Sequence, residues 1–436
     1  MNDRLHTSFV ERLGGCTHRN RKAFLVVLAA LAVAYCLGDT VSFLRAIKRD
    51  DRKPTLERWL PQAAEIGQSD RFYESHPDYL YPPGFLVLLK PLTHLPIEAA
   101  GVLWQLAKYA CIVVIFAAAW RMFAFTGPVP PWIKIASIIV AARFVHSDLR
   151  HGNINIFIAA LVVGGGWALV TRRSFLAGLL VALAACVKVT PVLWCIYLLY
   201  RLNGRALAGC AVAAVLMLEV IPSAVLGVER NHALLAEWRA HVIGSFLKGG
   251  EIDSVGMNQS LTAVTNRWLG HSTVLAEDRI AIVALQDSTI RRVQQGIAIT
   301  ILLITGLAIL RRKRRPDVVE PAPASRADDD RATLVYEWAL LAPVTLALSG
   351  YTWTGHFCLL VPALVGAFAF LERTRREGRL DRAVAGLVIV ASAIFVLTSD
   401  ILTEAGREWT TRVGAPLFAA MLIWLALVRV RAKGAV

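Results

Sequence analysis

Lys188 and Pro191 stand inside an apolar run, Leu176 to Tyr200, whose body reads AGLLVALAACVKVTPVLWCIYLLY. A lysine at the centre of a membrane costs about 2.5 to 3.5 kcal/mol on insertion scales. A proline there opens the backbone ladder. Both are tolerated where they face protein or a wet cavity, so the pair marks an interior site. A cation held in low dielectric suits an anion that cannot leave the headgroup plane, above all a lipid phosphate. Arg58 and Arg267 can add bidentate contacts to the same group. His356, close to Trp353, can contact a phosphate or an acceptor hydroxyl. The plainer readings are that Lys188 snorkels or pairs with a carbonyl, and that the arginines simply meet headgroups.

If a hydroxyl is to attack an activated sugar carbon, a carboxylate at the membrane surface must accept its proton or hold its orientation. The candidates are Asp39 at the end of the first apolar run, Asp50, Asp51, Glu57 and Asp78 in the loop that follows, and Asp148 in the corner SDLRHGNIN. Asp148 stands out because its neighbours His151, Asn153 and Asn155 sit between two tightly connected spans. His151, Asn153, Asn258 and Gln259 offer hydrogen bonds suited to sugar hydroxyls; Asn258 to Ser260 can equally cap a helix starting at Ser260.

The elements that must position these groups belong to a membrane. The chain has 436 residues, 56% hydrophobic and 18% charged, with mean hydropathy +0.53. That composition excludes a soluble two-domain enzyme and gives an all-α, polytopic transmembrane bundle. The net charge is +15, but Lys and Arg fall in short clusters between apolar runs. They act as topology signals and lipid contacts, and no nucleic-acid partner is expected. The seven cysteines form no CxxC pair, and no His cluster stands at ligand spacing, so neither a disulfide framework nor a metal site is expected.

Residues 1–22 are basic and read as a cytoplasmic tail ahead of one membrane domain, 23–436. Spans are expected at 24–44, 97–120, 133–147, 153–170, 206–226, 292–310, 333–350, 357–371, 383–399 and 412–429, about ten in all. Loop 45–82 is the first extracytoplasmic segment, with an interfacial helix at Leu56 to Ile66. Gly84 to Leu95 is too short to span and dips in. Loop 227–290 is extracytoplasmic with interfacial helices, and 316–331 is a cytoplasmic linker. Arginines flank 174–200 at both ends, so this run goes in and returns as two half-helices meeting at Val187 to Pro191. One tilted, proline-kinked span is the alternative. With both termini cytoplasmic, the first loop, the DLRHGN corner, the KVTP apex, the GMNQS segment and Tyr351 to His356 gather on the extracytoplasmic face. A transport path needs polar groups at both depths; chemistry on a lipid-borne substrate needs them at one.

The order of motifs is YPP with an LP turn and a span, HGNIN opening a span, AGLLVALAACVKVTP, NQS, and W-x-x-H near a late span. Over roughly residues 24 to 370 this resembles the family-87 glycosyltransferases, polyprenyl-phosphate-mannose-dependent α-mannosyltransferases of the GT-C superfamily. The resemblance implies a GT-C fold and a polyprenyl-phosphate sugar donor. It further implies a reaction without metal or cofactor, inversion at the anomeric carbon, and an acidic base in the first extracytoplasmic loop. Family members typically carry an Asp shortly after the first span, whereas this loop reads RKPTLERWLPQAAEIG. Either Glu57 substitutes, or Asp51 or Asp39 reaches the site, or Asp148 takes the role. Where His151 stands, the family usually has Gln.

The expectation is therefore a multi-pass enzyme of the cytoplasmic (inner) membrane. It moves a sugar, mannose by resemblance, from a polyprenyl-phosphate carrier to a lipid or glycan acceptor at the outer face. An O-antigen polymerase or ligase would concentrate Arg and His in one large loop, unlike this chain. A flippase would move labelled lipid without covalent change.

Overall fold

The computed structural model describes residues 18–49, 54–69, 71–244, 254–310, 323–398 and 403–433, and every regular element among them is helical. The first helices are α1 (His18–Ile47), α2 (Thr55–Glu65), α3 (Pro83–Leu89), α4 (Ile97–Phe123), α5 (Pro131–His151) and α6 (Asn155–Val170). Next come α7 (Ser174–Val187), α8 (Val192–Tyr200), α9 (Gly204–Val215), α10 (Val228–Trp238), α11 (Leu261–Leu269) and α12 (Asp287–Leu310). The chain closes with α13 (Pro323–Leu348), α14 (Val361–Arg376), α15 (Arg382–Leu397), α16 (Glu404–Arg412) and α17 (Ala415–Ala432). A π-helical turn at Leu216–Val220 continues α9 into Ile221–Leu226, and a 3₁₀ segment, Thr354–Leu360, leads into α14.

Among the described residues six stretches are long and apolar enough to cross a membrane: Ala29–Ile47, Ile97–Phe123, Gly204–Leu226, Asp287–Leu310, Thr354–Arg376 and Ala415–Ala432. The other four expected spans are also helical but shorter or more polar. α6 and α15 have 16 residues each. α5 carries Lys134, Arg143, Asp148 and Arg150, and α13 begins at Pro323, inside the stretch read as a linker. Among the described residues, length and composition thus give six candidate spans, and the other four of the ten expected do not meet both criteria.

The run around Lys188 divides at the expected residues. α7 stops at Val187, Lys188 is extended (φ −142°, ψ 122°), and α8 resumes at Val192. α8 then brings the chain back to its starting level, where Asn203 Nδ2 donates to Ser174 Oγ at 3.1 Å. A single kinked span would have carried Asn203 to the far end. α9 runs beside α7 in the same direction, with Cys210 Sγ donating to Gly178 O at 3.4 Å. Glycine permits this approach: a Cβ on Gly178 would lie 1.8 Å from Ala206 O, and one on Gly209 would lie 2.1 Å from Phe175 O. At about 1.5 Å per residue, α7 raises Lys188 about 21 Å above the hairpin's base.

The base of the hairpin belongs to the end of the bundle that holds the basic ion pairs. Glu337 of α13, 1% exposed, accepts from Tyr197 at 2.7 Å and from Arg431 at 2.9 Å, with Arg201 at 3.6 Å. Asp381 caps α15 through the Ala383 and Val384 amides and pairs with Lys433 at 2.6 Å and Arg429 at 3.3 Å, joining α15 to α17. Burial alone would raise its carboxyl; the Lys433 hydrogen bond, the Val384 amide and Arg429 outweigh that and bring it down to about 2. A depressed pKa contributes stability above the unfolded value of about 3.9 and loses it as the pH falls through the folded one. Asp381→Asn is therefore expected to lower the melting temperature at pH 7. The gap to the wild type should close as the pH falls from about 4 toward about 2, which thermal unfolding across that range will check.

Candidate active site

α5 ends at Gly152, whose φ of +63° turns the chain so that α6 starts at Asn155. Asp148, one turn before that end, folds back over the new helix. Its Oδ2 accepts from Asn155 N at 3.2 Å and Asn155 Nδ2 at 2.8 Å, and its Oδ1 from Ile156 N at 3.4 Å. Those amides are orphan donors at a helix start, and a carboxylate is what they favour. α4 grips the same corner from the side. Trp104 donates to Gly152 O at 3.0 Å and Gln105 to Leu149 O at 3.1 Å. Lys108 donates to Asp148 O at 2.6 Å and pairs with Asp148 Oδ1 at 2.8 Å, both side chains fully buried.

The far side of the Asn155 carboxamide faces the hairpin tip. Lys188 Nζ donates to Asn155 Oδ1 at 2.9 Å and to His356 Nε2. The His356 ring is held by its other nitrogen, which lies 3.0 Å from Trp353 N and 3.2 Å from Trp353 O. Lys108, Asp148, Asn155, Lys188 and His356 thus form one unbroken polar chain drawn from five segments. It borders a narrow cleft whose polar lining is Asn155, Lys188, Thr190, Thr345, Ser349 and His356. Among the described residues no carboxylate pairs with Lys188, because the adjacent one is taken by Lys108. The cleft therefore presents a cation with hydroxyl and imidazole groups around it, which suits an anionic oxygen ligand.

The expected convergence on one end of the bundle is present. α2 packs its Trp59 edge-on against Tyr81 (5.8 Å), Phe85 (5.0 Å) and Trp104 (6.2 Å), which seats the first loop over the α5–α6 corner. Burial and then the Asp148 carboxylate push the Tyr81 phenol up, with the Arg58 guanidinium working against them, so Arg58 and Asp148 flank one tyrosine. Arg58 is exposed and Glu57 half-buried on α2; Asp50 and Asp51 lie outside the described residues. Asp78 is exposed. Asp39 accepts from Tyr109 at 2.9 Å, with His146 at 3.9 Å. His146 lies two residues before Asp148, on the other side of α5.

Several candidates are committed to backbone. Asp148 is 1% exposed and fully engaged, so it braces the corner. His151 is exposed and its Nδ1 donates to Ser147 O at 2.6 Å. Asn153 Oδ1 accepts from Ile154 N at 2.7 Å. Asn258 donates to Gly350 O and accepts from Thr352 N at 3.0 Å; Gln259 donates to Thr411 O at 2.7 Å; Ser260 caps α11. Arg267 is 0% exposed and donates to Arg412 O, Ser254 O, Val255 O and Asn258 O at 2.8 to 3.1 Å. Burial lowers its pKa to about 10, which leaves it a cation at neutral pH.

Two members of the polar chain, Lys108 and Asn155, do not stand out as candidates in the sequence. Lys108 lies within an ordinary-looking span, yet a lysine in the middle of Ile97–Phe123 carries the same cost that singles out Lys188. Asn155, a neutral amide at a helix start, carries no comparable signal.

The family model of glycosyltransferase family 87 matches residues 79–326, more than half of the chain. The chain belongs to glycosyltransferase family 87. The family-87 match takes in Asp148, Lys188 and Arg267; α2 precedes it and His356 follows it. One relative is the polyprenol-phosphate-mannose-dependent alpha-(1-2)-phosphatidylinositol pentamannoside mannosyltransferase of Mycobacterium tuberculosis. It is 26% identical over 309 residues, covering 69% of this chain and 61% of the relative. The protein of the same description from Mycolicibacterium smegmatis is 24% identical over 193 residues, covering 44% of this chain and 45% of the relative. The chain thus spans about three-fifths of the first of these curated relatives and under half of the second. No solved structure matches the chain.

Proposed function

We propose that this family-87 protein is a membrane glycosyltransferase that takes a sugar, mannose by analogy with its relatives, from a polyprenyl-phosphate donor and passes it to a hydroxyl of a lipid or glycan acceptor. The observation that carries this reading is Lys188, a cation at the tip of a re-entrant hairpin with Asn155 and His356 on its Nζ and no carboxylate partner among the described residues. The donor phosphate is the missing counter-ion. Its oxygens meet Lys188, which His356 holds in place through Nε2, and Arg58 reaches it from α2.

The acceptor oxygen attacks the anomeric carbon from the face opposite the phosphate, and the bond from that carbon to the phosphate oxygen breaks. The electron pair leaves with polyprenyl phosphate, where the Lys188 ammonium stabilises the added charge, and the configuration inverts. The hydroxyl proton passes to a carboxylate of the first loop. Glu57 is the choice among the described residues, since Asp148 is fully engaged by Lys108, Asn155 and the start of α6. No step calls on a metal. Asn258, Gln259 and Arg267 shape the outer wall rather than touch the sugar. The site opens to the outer face of the cytoplasmic membrane, and both termini lie in the cytoplasm.

The test is to incubate the purified full-length chain in lipid with a panel of polyprenyl-phosphate sugars and an acceptor lipid extract. Release of polyprenyl phosphate from the mannose donor is the expected result. Labelled donor crossing the bilayer unchanged, with no release, would replace the enzyme by a flippase.

A further inference from the structure

Lys108 and Asp148 are a buried ion pair inside the bundle, both side chains at 0% exposure. Such a pair is costly to bury, and neutral residues of the same volume commonly serve stability as well or better. Capping α6 needs only the carboxylate, and packing α4 against the corner is already provided by Trp104 and Gln105. The pair's distinctive effect is on charge. Asp148 Oδ2 and Lys188 Nζ touch opposite ends of one carboxamide, Asn155, at 2.8 and 2.9 Å. Without Lys108, Asp148 would be the natural counter-ion of Lys188, one amide width away. With Lys108 in place the three charges sum to one positive charge, and it faces the cleft.

We propose that Lys108 is a positioning residue that occupies Asp148, so that Lys188 is left to hold an anionic phosphate ligand, with Asn155 as the spacer that fixes the separation. This rests on the functional reading above for the identity of the ligand, but its electrostatics can be tested without turnover. Lys108→Met lets Asp148 compete for Lys188 and leaves the local sum at zero. Asp148→Asn keeps an oxygen for the Asn155 amides and raises the sum to two. The double variant Lys108→Met/Asp148→Asn returns it to one. Two opposite charges about 6 Å apart in a partly polar interior interact strongly enough to change affinity about 10- to 100-fold.

The experiment titrates purified full-length protein and the three variants in lipid nanodiscs with farnesyl phosphate, a short isoprenyl phosphate, and records thermal unfolding alongside. The expected order of affinity is Asp148→Asn at least equal to wild type, wild type close to the double variant, and Lys108→Met weaker by at least about tenfold. Lys108→Met leaves Asp148 without its buried partner, so the order supports the proposal when Lys108→Met melts within a few degrees of the double variant, and weaker binding that goes with a collapsed melting curve overturns it. Equal affinity for Lys108→Met and wild type overturns the proposal, as does loss in Asp148→Asn matching that in Lys108→Met, or a wild type that does not bind farnesyl phosphate. If the order holds while no polyprenyl-phosphate sugar is turned over, it is the transferase reading that fails.

Discussion

Lys188→Met is expected to abolish sugar transfer while the bundle stays assembled. Removing a single preorganised donor from a developing oxyanion typically costs about 10²- to 10³-fold in turnover. Among the described residues no second cation contacts its partners Asn155 and His356. The loss should therefore lie at or beyond the upper end of that range. Stability should move little or upward, because the substitution removes an ammonium that has no carboxylate partner among the described residues. Lys188→Arg should not rescue, since the planar fork does not fit the single point between Asn155 Oδ1 and His356 Nε2. Polyprenyl phosphate release at saturating donor, read beside a melting curve, checks both halves. Turnover within about tenfold of wild type would remove Lys188 from the chemistry.

Arg267→Met is expected to act in the opposite sense, on stability before activity. The guanidinium donates to four carbonyls in two distant stretches, Ser254 to Asn258 and Arg412. Each buried carbonyl left without its donor costs about 1 to 3 kcal/mol, so the wall formed by α11, α16 and the GMNQS segment should come apart at several kcal/mol. Arg267→Lys should recover only part of this, because one ammonium cannot reach the spread of acceptors that the fork spans. Limited proteolysis between residues 254 and 285, with melting temperatures, measures the effect. A variant that melts like the wild type but needs far more donor would instead make Arg267 a phosphate ligand.

The legible part of this protein was written in contrasts of polarity. Lys188 in an apolar run announced both the hairpin break and the cation; His356 reads in the sequence as a contact for phosphate or an acceptor hydroxyl, and its place against Lys188 came only with the fold. The amphipathic spacing of Leu56, Trp59, Leu60, Ala63 and Ala64 placed α2, which buries all of these except the exposed Ala64 and buries Thr55 as well. What sequence could not supply was the identity of partners. Arg267, Asn258 and Gln259 read as substrate ligands because they are polar; the hydrogen bonds they make are to main-chain groups brought near only by folding, and Arg267 Nη2 and Gln259 Oε1 are buried with no partner among the described residues. Asp148 reads as a base for the same reason, and its engagement by Lys108 depends on how α4 crosses α5, which no local pattern encodes. The crossing count differed because α5 and α13 mix charge into their helices and α6 and α15 are short, so a length rule passes over them.

The return of α8 to the level of Ser174 has an arithmetical consequence for the whole chain. Anyone tallying greasy stretches would score residues 176–200 as one passage, although Asn203 lies back beside Ser174. Scoring that run as a passage or as a return changes the parity of the tally, and every later loop, including the one bearing His356, changes sides with it.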